Sequence, residues 1–215
     1  MKSNLHRAGG ARIAAGLRAI AVAVIALVAL PAYAQEAPDA LVKRVSQEAL
    51  TIIRTDPKVQ AGDQARIREL IEAKLAPYFD VDRMTALAMG RSWRQATPEQ
   101  KKQLAEGFKS LLIRTYANAL NQYRSQTLDY DPLRVAPDAT DVTVKTHVVR
   151  PGQVPVDIDY SMEKTPSGWK AYDVIVGGVS LVTNYRDEFT QQVQTGGIDG
   201  LIRALAAKNS GSPAK

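Results

Sequence analysis

The chain has 215 residues, of which 28 are basic and 22 acidic, and it contains no cysteine. This length suffices for one domain with a sizeable core, and the lack of cysteine excludes disulfides and thiol chemistry. The first 34 residues hold four of the basic side chains and no acidic ones, so the remainder carries 24 basic and 22 acidic residues. Its net charge of +2 gives no electrostatic bias toward nucleic acid.

Residues 1–34 have the three parts of a secretory signal peptide. Four basic residues precede or flank the start of an apolar run of twelve residues, Ala19–Leu30, and Ala32-Tyr33-Ala34 is an A-x-A cleavage sequence. An N-terminal membrane anchor is the alternative, but the apolar run is too short to span a bilayer stably. We expect cleavage after Ala34 and export. Because exported eukaryotic domains of this size usually contain disulfides, the absence of cysteine favours a Gram-negative periplasm.

Three amphipathic helices are predicted before residue 90. Apolar residues recur at helical spacing from Asp39 to about Thr55, where the pattern ends before a proline. Asp63 is placed to cap a second helix. A third helix is predicted from Asp80 to Ala88, with Gly90 as its stop signal.

The best-marked helix begins at Thr97-Pro98-Glu99-Gln100, which has the pattern of a capping box with proline at the first helical position. Apolar residues behind it hold a helical period for more than four turns. The apolar stripe is wider than packing against one neighbour requires, so we expect cover on two sides, by sheet and by helices or a ligand. The N-terminal helical part is therefore predicted to comprise residues 39–124.

Between residues 127 and 176 the apolar period changes from about 3.6 to 2, which predicts strands. The clearest alternation places Ile158, Tyr160 and Met162 on one face of a strand and charged residues on the other. Short turns between the strands predict an antiparallel meander with one dry face. Helices precede and follow the strands along the chain. This order predicts the α+β fold class, with the helices packed on one face of the sheet.

The stretch from Trp169 to Phe189 joins this sheet to the C-terminal helices. Its first half is typical of a buried strand, Gly177 and Gly178 break the pattern, and a helical period begins at Val179. We expect the strand and the helix to form the wall and lid of an apolar pocket, with the two glycines as its hinge. Helices are predicted over residues 178–207 and a disordered polar tail over 209–215. Residues 35–208 would then form a single domain.

Residues suited to catalysis or metal binding are scarce. His147 is the only histidine after the predicted signal peptide, and alternation places it on the solvated face of its strand. Asp173 lies in an apolar strand, where it could act as a base, cap a helix or pair with an arginine such as Arg91 or Arg94; a structural role is favoured. No nucleotide-binding or zinc-protease motif is present. We predict no catalytic residue, metal or cofactor.

Six segments stand together in this order: Asp80–Met84, Gly90–Gln100, Phe108–Tyr123, Trp169–Ile175, Gly178–Val182 and Gly197–Leu201. They resemble the MlaC/toluene-tolerance (Ttg2-type) family of periplasmic phospholipid-binding proteins, and the resemblance covers nearly all of residues 39–206. It implies an NTF2-like curved sheet with added helices and a deep apolar cavity for acyl chains. It also implies shuttling of phospholipid between an outer-membrane lipoprotein–porin complex and an inner-membrane ABC transporter with its substrate-binding subunit, which maintains outer-membrane lipid asymmetry. A related branch is associated with hopanoid biosynthesis and stays open.

For such a carrier, the helical stripes and strand alternation predict twelve lipid-contacting residues: Leu87, Phe108, Leu112, Tyr116, Val144, Val148, Ile158, Tyr160, Val174, Val179, Leu181 and Val182. Bound phospholipid would be cargo and not a cofactor, and we expect a monomer that does not bind nucleic acid. Two other functions remain open. An NTF2-like cavity could serve a small-molecule enzyme using Asp173, or side chains could fill it and leave a pure adaptor.

Overall fold

The structure, a computed structural model, describes residues 35–120, 126–136 and 138–210. The predicted signal peptide, the residues just beyond 120 and the last five residues of the chain lie outside these ranges. The described residues belong to one compact unit. Within them, no helix is both long enough and apolar enough to cross a membrane.

The chain begins with three helices: α1 (Pro38–Thr55), α2 (Pro57–Gln60) and α3 (Gln64–Leu70). The side chains of Asp56 and Asp63 accept two backbone N–H groups each at the starts of α2 and α3, as N-caps do. The first predicted helix and the Asp63 cap are confirmed. Helix α2 was not predicted, because four residues are too few to show a period.

Two irregular turns connect α3 to the next helix. The chain continues from α3 into a π-helical turn at Ile71–Leu75 and a 3₁₀ turn at Ala76–Tyr78. Helix α4 (Val81–Met89) follows, capped by the Asp80 side chain and ended by Gly90, whose φ of 56° favours glycine. The third predicted helix is therefore confirmed to within one residue at each end.

Helix α5 (Pro98–Leu120) is the long helix that the capping box predicts. The Gln100 backbone N–H donates to Thr97 Oγ1 at 3.2 Å, and the Thr97 N–H donates to Gln100 Oε1 at 3.0 Å. These reciprocal bonds confirm the capping box and satisfy donors that a helix start leaves without partners.

The strands are β1 (Thr127–Tyr130), β2 (Asp141–Val149), β3 (Val156–Thr165), β4 (Gly168–Val176) and β5 (Val179–Ser180). They pair antiparallel in chain order, so the predicted meander is confirmed. The register of β3 with β4 shifts between Ser161 and Met162, which marks a β-bulge. Helices and this curved sheet together make the fold α+β, as predicted.

The start of the last helix differs from the prediction. Val179 and Ser180 form a short strand paired with Val176 and Ile175, and do not begin a helix. Gly177 and Gly178 have φ values of 55° and 82°, so they form a two-residue turn that folds the chain back onto β4. A helical period of 3.6 residues cannot reveal a two-residue turn that reverses the direction of the chain.

Helix α6 (Leu181–Ser210) is bent at Gly197, where φ is 65° and ψ is −172°. It therefore covers most of the C-terminal helical region that the sequence predicts over residues 178–207. Asn209 and Ser210, predicted in the tail, are helical. The Asn209 side-chain amide donates to the Gly107 carbonyl at 2.9 Å, and the Asn209 backbone carbonyl accepts a bond from the Arg114 guanidinium at 2.7 Å. These bonds tie this end of α6 to α5.

Two main apolar clusters hold these elements together. The helical core lies between α4, α5 and α6; its buried members include Met84, Ala88, Leu104, Phe108, Leu111, Val182, Tyr185, Phe189, Leu201 and Leu205. The sheet core lies between α1 and the sheet and consists of Leu41, Val42, Val144, Met162, Trp169 and Ala171. At the centre of the helical core, the Phe108 ring packs edge-to-face against Tyr185 and Phe189, with centroids 5.2 and 5.1 Å apart. The rings of Tyr185 and Phe189 are tilted to each other at 5.8 Å.

Candidate binding cavity

A cavity of about 330 Å³ lies against the dry face of the sheet, between α1 and α5. Its walls come from α1, the π-helical turn, the start of α4, the middle of α5, the first four strands and the first residue of α6. The lining is overwhelmingly apolar. Polar side chains among the lining residues are Ser46, Tyr78, Lys109, Tyr116 and Tyr160.

Seven of the twelve predicted residues line this cavity: Leu112, Tyr116, Val148, Ile158, Tyr160, Val174 and Leu181. The strand residues arrive there because alternate positions of β2, β3 and β4 face the same side. Leu112 and Tyr116 are four apart on α5, so they lie on one stripe of the helix.

The other five predicted residues lie outside the lining. Phe108 and Val182 are buried in the helical core, and Leu87 packs against it. Val144 faces the cavity's side of β2 but is fully buried in the sheet core. Val179 is 57% exposed in β5. The broad apolar stripe on α5 packs partly in the helical core and partly lines the cavity. The helical period alone does not show which of its residues do which.

Helix α1 forms a wall of the cavity that the sequence interpretation did not assign. Seven of its residues line the cavity at helical spacing: Leu41, Val42, Val45, Ser46, Ala49, Leu50 and Ile53. Ile71 and Leu75 of the π-helical turn extend this wall. The apolar stripe on α1 is visible in the sequence, but nothing there shows that it faces a cavity and not a neighbouring side chain.

Side-chain hydrogen bonds hold α1 in place over the sheet. Ser46 Oγ lies 2.7 Å from the Tyr130 hydroxyl of β1, and Arg54 donates to the Gln126 carbonyl at 2.6 Å. Ser46 also donates to the Val42 carbonyl at 2.6 Å, so its hydroxyl is satisfied although it borders the cavity.

A cluster of polar side chains holds α4 against three inner strands of the sheet. The Arg83 guanidinium lies 3.5 Å from the centre of the Tyr172 ring and donates to Asp141 at 3.2 Å and to Glu163. The Tyr172 hydroxyl donates to Asp141 at 2.9 Å. These contacts join α4 to β2, β3 and β4, and α4 contributes Met84 to the cavity wall.

Asp173 is a helix cap. Its Oδ1 accepts the backbone N–H of Val182 at 3.1 Å in the first turn of α6, and its Oδ2 accepts the Ser180 hydroxyl at 2.5 Å. The Val174 N–H donates to Oδ1 at 2.8 Å as well. Both oxygens are therefore engaged in joining β4 to α6, which is the structural role that the sequence favoured, and Arg91 and Arg94 take no part in it.

His147 lies on the solvated face of the sheet between two carboxylates. Its Nδ1 is 2.8 Å from Asp157 and its Nε2 is 3.0 Å from Asp131. These bonds, first to Asp157 and then to Asp131, raise the pKa of His147 above its ordinary value. In the described parts of the chain, no group of three or more His, Asp or Glu side chains is arranged to hold a metal ion.

The fold and the cavity define an α+β protein built around an apolar hollow. A model of the MlaC protein family matches residues 43–207, and the chain belongs to this family. Among characterised relatives, toluene tolerance protein ttg2D of Pseudomonas putida is 27% identical over 184 residues, which are 85% of each chain. The intermembrane phospholipid transport system binding protein MlaC of Haemophilus influenzae is 23% identical over 182 residues, 83% of this chain and 85% of that protein.

A solved structure has the same fold. It is the phospholipid-binding protein from Ralstonia solanacearum in complex with a phospholipid, and it is 43% identical in sequence, with a TM-score of 0.76. The match covers 80% of this chain and 97% of the Ralstonia chain.

Proposed function

We propose that this protein is a soluble periplasmic carrier that holds the acyl chains of a phospholipid in its cavity. The observation that carries the proposal is the apolar cavity of about 330 Å³ between α1, α5 and the sheet. Family membership supports it, and so does the phospholipid complex of the similar Ralstonia protein. The predicted signal peptide, with cleavage after Ala34, supplies the route to the periplasm.

The energetics of lipid transit fit such a carrier. Two acyl chains contain roughly 30 methylenes, and each costs about 0.8 kcal/mol to expose to water. The sum, on the order of 25 kcal/mol, opposes unassisted transit through an aqueous compartment. A carrier needs to offer the tails only an environment about as apolar as a bilayer, so that exchange stays close to balance and partners can set its direction.

We propose as partners an outer-membrane lipoprotein–porin complex and an inner-membrane ABC transporter with its substrate-binding subunit. Transfer between them would maintain outer-membrane lipid asymmetry. The name of the Haemophilus relative, a binding protein of an intermembrane phospholipid transport system, supports this assignment.

Loading requires the cavity to widen. Sites for drug-sized ligands measure about 300–1,000 Å³, so this cavity is at the lower end of that range, and a diacyl phospholipid is larger than a drug-sized ligand. Gly177 and Gly178 remain the proposed hinge. Because the Asp173 carboxylate joins the adjoining strand and helix, we place the greater movement in α1, which forms a separate wall of the cavity.

Native mass spectrometry of the protein freshly purified from a Gram-negative host tests the function. We expect a bound diacyl phospholipid that solvent extraction identifies by its head-group fragment. A bound hopanoid instead of a phospholipid would assign the protein to the branch of the family that is associated with hopanoid biosynthesis. Protein without any bound lipid, or turnover of a small-molecule substrate that is lost in Asp173→Asn, would overturn the proposal in favour of the adaptor or the enzyme.

A further inference from the structure

Lys109 is the one charged side chain among the described residues that line the cavity. It lies on α5 in the same stripe as Leu112, Ile113 and Tyr116, which also line the cavity. An isolated charge among apolar groups is costly unless its charged end reaches water or a partner. This cost indicates that Lys109 has a role other than packing against its neighbours.

The geometry shows how the charge is tolerated. Lys109 Nζ lies 2.6 Å from Glu106 Oε2, one turn earlier on α5, and the Glu106 side chain is 62% exposed. The methylene stem of Lys109 thus borders the cavity while its ammonium group reaches the surface, as long basic side chains commonly do. Lys109 consequently marks a place where the cavity meets solvent.

Tyr116 supplies a second donor on the same stripe. It follows Lys109 by seven residues, nearly two full turns, and its ring borders the cavity. Within the described residues no group hydrogen-bonds its hydroxyl, and burial, then the nearby Tyr185, raises the pKa of this phenol. A half-buried hydroxyl of this kind gains from a ligand acceptor.

Resting on the proposed carrier function, we propose that Lys109 binds the phosphodiester of the loaded phospholipid while Tyr116 donates a hydrogen bond to its glycerol-ester region. The tails then occupy the apolar part of the cavity. An ion pair at the surface such as Lys109–Glu106 contributes little, so a phosphate can displace Glu106 at small cost. An ammonium–phosphate contact is charge-assisted and stronger. The α5 stripe would thereby select phospholipids over uncharged lipids with the same tails.

The test measures extraction of two lipids from mixed vesicles: phosphatidylglycerol and a diacylglycerol with identical acyl chains. Delipidated wild-type protein should prefer phosphatidylglycerol by about tenfold, a factor typical of one charged hydrogen bond. Lys109→Met keeps the apolar stem and removes the charge, so the ratio should fall to near one while total lipid bound stays the same. Lys109→Arg should retain the preference, and Tyr116→Phe should reduce it in part.

Lys102→Met is the matched control, because Lys102 lies one heptad earlier on α5, is exposed and does not line the cavity. It should leave the ratio unchanged. An unaltered ratio in Lys109→Met would overturn the proposal, as would a ratio that inorganic phosphate abolishes, since that result would make Lys109 a general anion site. Absence of binding for both lipids would instead reject the carrier function itself.

Discussion

Two valines at the same end of the sheet occupy opposite environments. Val148 of β2 is fully buried and lines the cavity, whereas Val179 of β5 is 57% exposed. Both were predicted to contact lipid, and substitution separates their roles.

We expect Val148→Trp to lower lipid occupancy several-fold, because the indole would take up cavity volume that the tails need. Occupancy is measured by lipid phosphorus per protein after purification. Val179→Trp is the control: the same side chain placed in solvent should leave occupancy unchanged. Equal occupancy in both variants would count against the cavity as the tail site.

The pH dependence of stability should carry the signature of His147. Asp157 and Asp131 raise its folded pKa above the ordinary value of 6.5, so protonation stabilises the folded state. The contribution is fully present below the unfolded pKa and is lost as pH rises through the folded one. The difference in unfolding free energy between wild type and His147→Gln should therefore be larger near pH 5.5 than near pH 9 in urea titrations.

Lys145→Gln provides the comparison, because Lys145 is exposed on the same strand, two residues from His147. Its effect should not vary between the two pH values. A pH-independent effect of His147→Gln would contradict the role of the two carboxylates. Lipid transfer should be normal in both variants, since neither side chain lines the cavity.

At the scale of elements, the Asp173 carboxylate joins β4 to α6. Asp173 accepts the N–H of Val182 and the Ser180 hydroxyl, and its charge lies at the positive end of the helix. Asp173→Ala should lower the free energy of unfolding by about 1–2 kcal/mol. Asp187→Ala, an exposed change in the same helix, should cost much less; similar losses in urea unfolding would refute the cap.

Local chemistry explains which elements the sequence could predict. Some helix starts and stops are marked by residues within one turn of chain. The starts marked by Thr97 with Gln100, by Asp63 and by Asp80 are present, and so is the stop at Gly90. The strands followed from alternation that one dry face imposes. Strand β5 was missed because a two-glycine reversal leaves no periodic trace.

The cavity wall was harder to assign for a different reason. An apolar stripe shows that a helix face is covered, but not whether protein atoms or an empty volume covers it. Helix α1 was therefore recognised as amphipathic and yet not as cavity lining, while Phe108 and Val182 were assigned to the cavity and lie in the helical core. The cavity exists only where the assembled elements leave space between them, and the stripe of one element does not show that space.

For the whole molecule, the two tryptophans report on different parts of the interior. Trp169 belongs to the sheet core, four of whose members line the cavity, and Trp93 packs against the helical core. We expect removal of lipid to shift the emission of Trp169 to the red in Trp93→Phe, because water gains access to its side of the fold. The emission of Trp93 in Trp169→Phe should stay unchanged. Equal shifts would show that cargo supports both cores.

The ring cluster of Phe108, Tyr185 and Phe189 bears on the stability of the protein when no lipid is bound. These rings contact one another and not the hollow, so unloading removes none of the contacts among them. In the proposed carrier cycle, the protein without lipid would therefore stay folded and protected from proteases that attack unfolded chains.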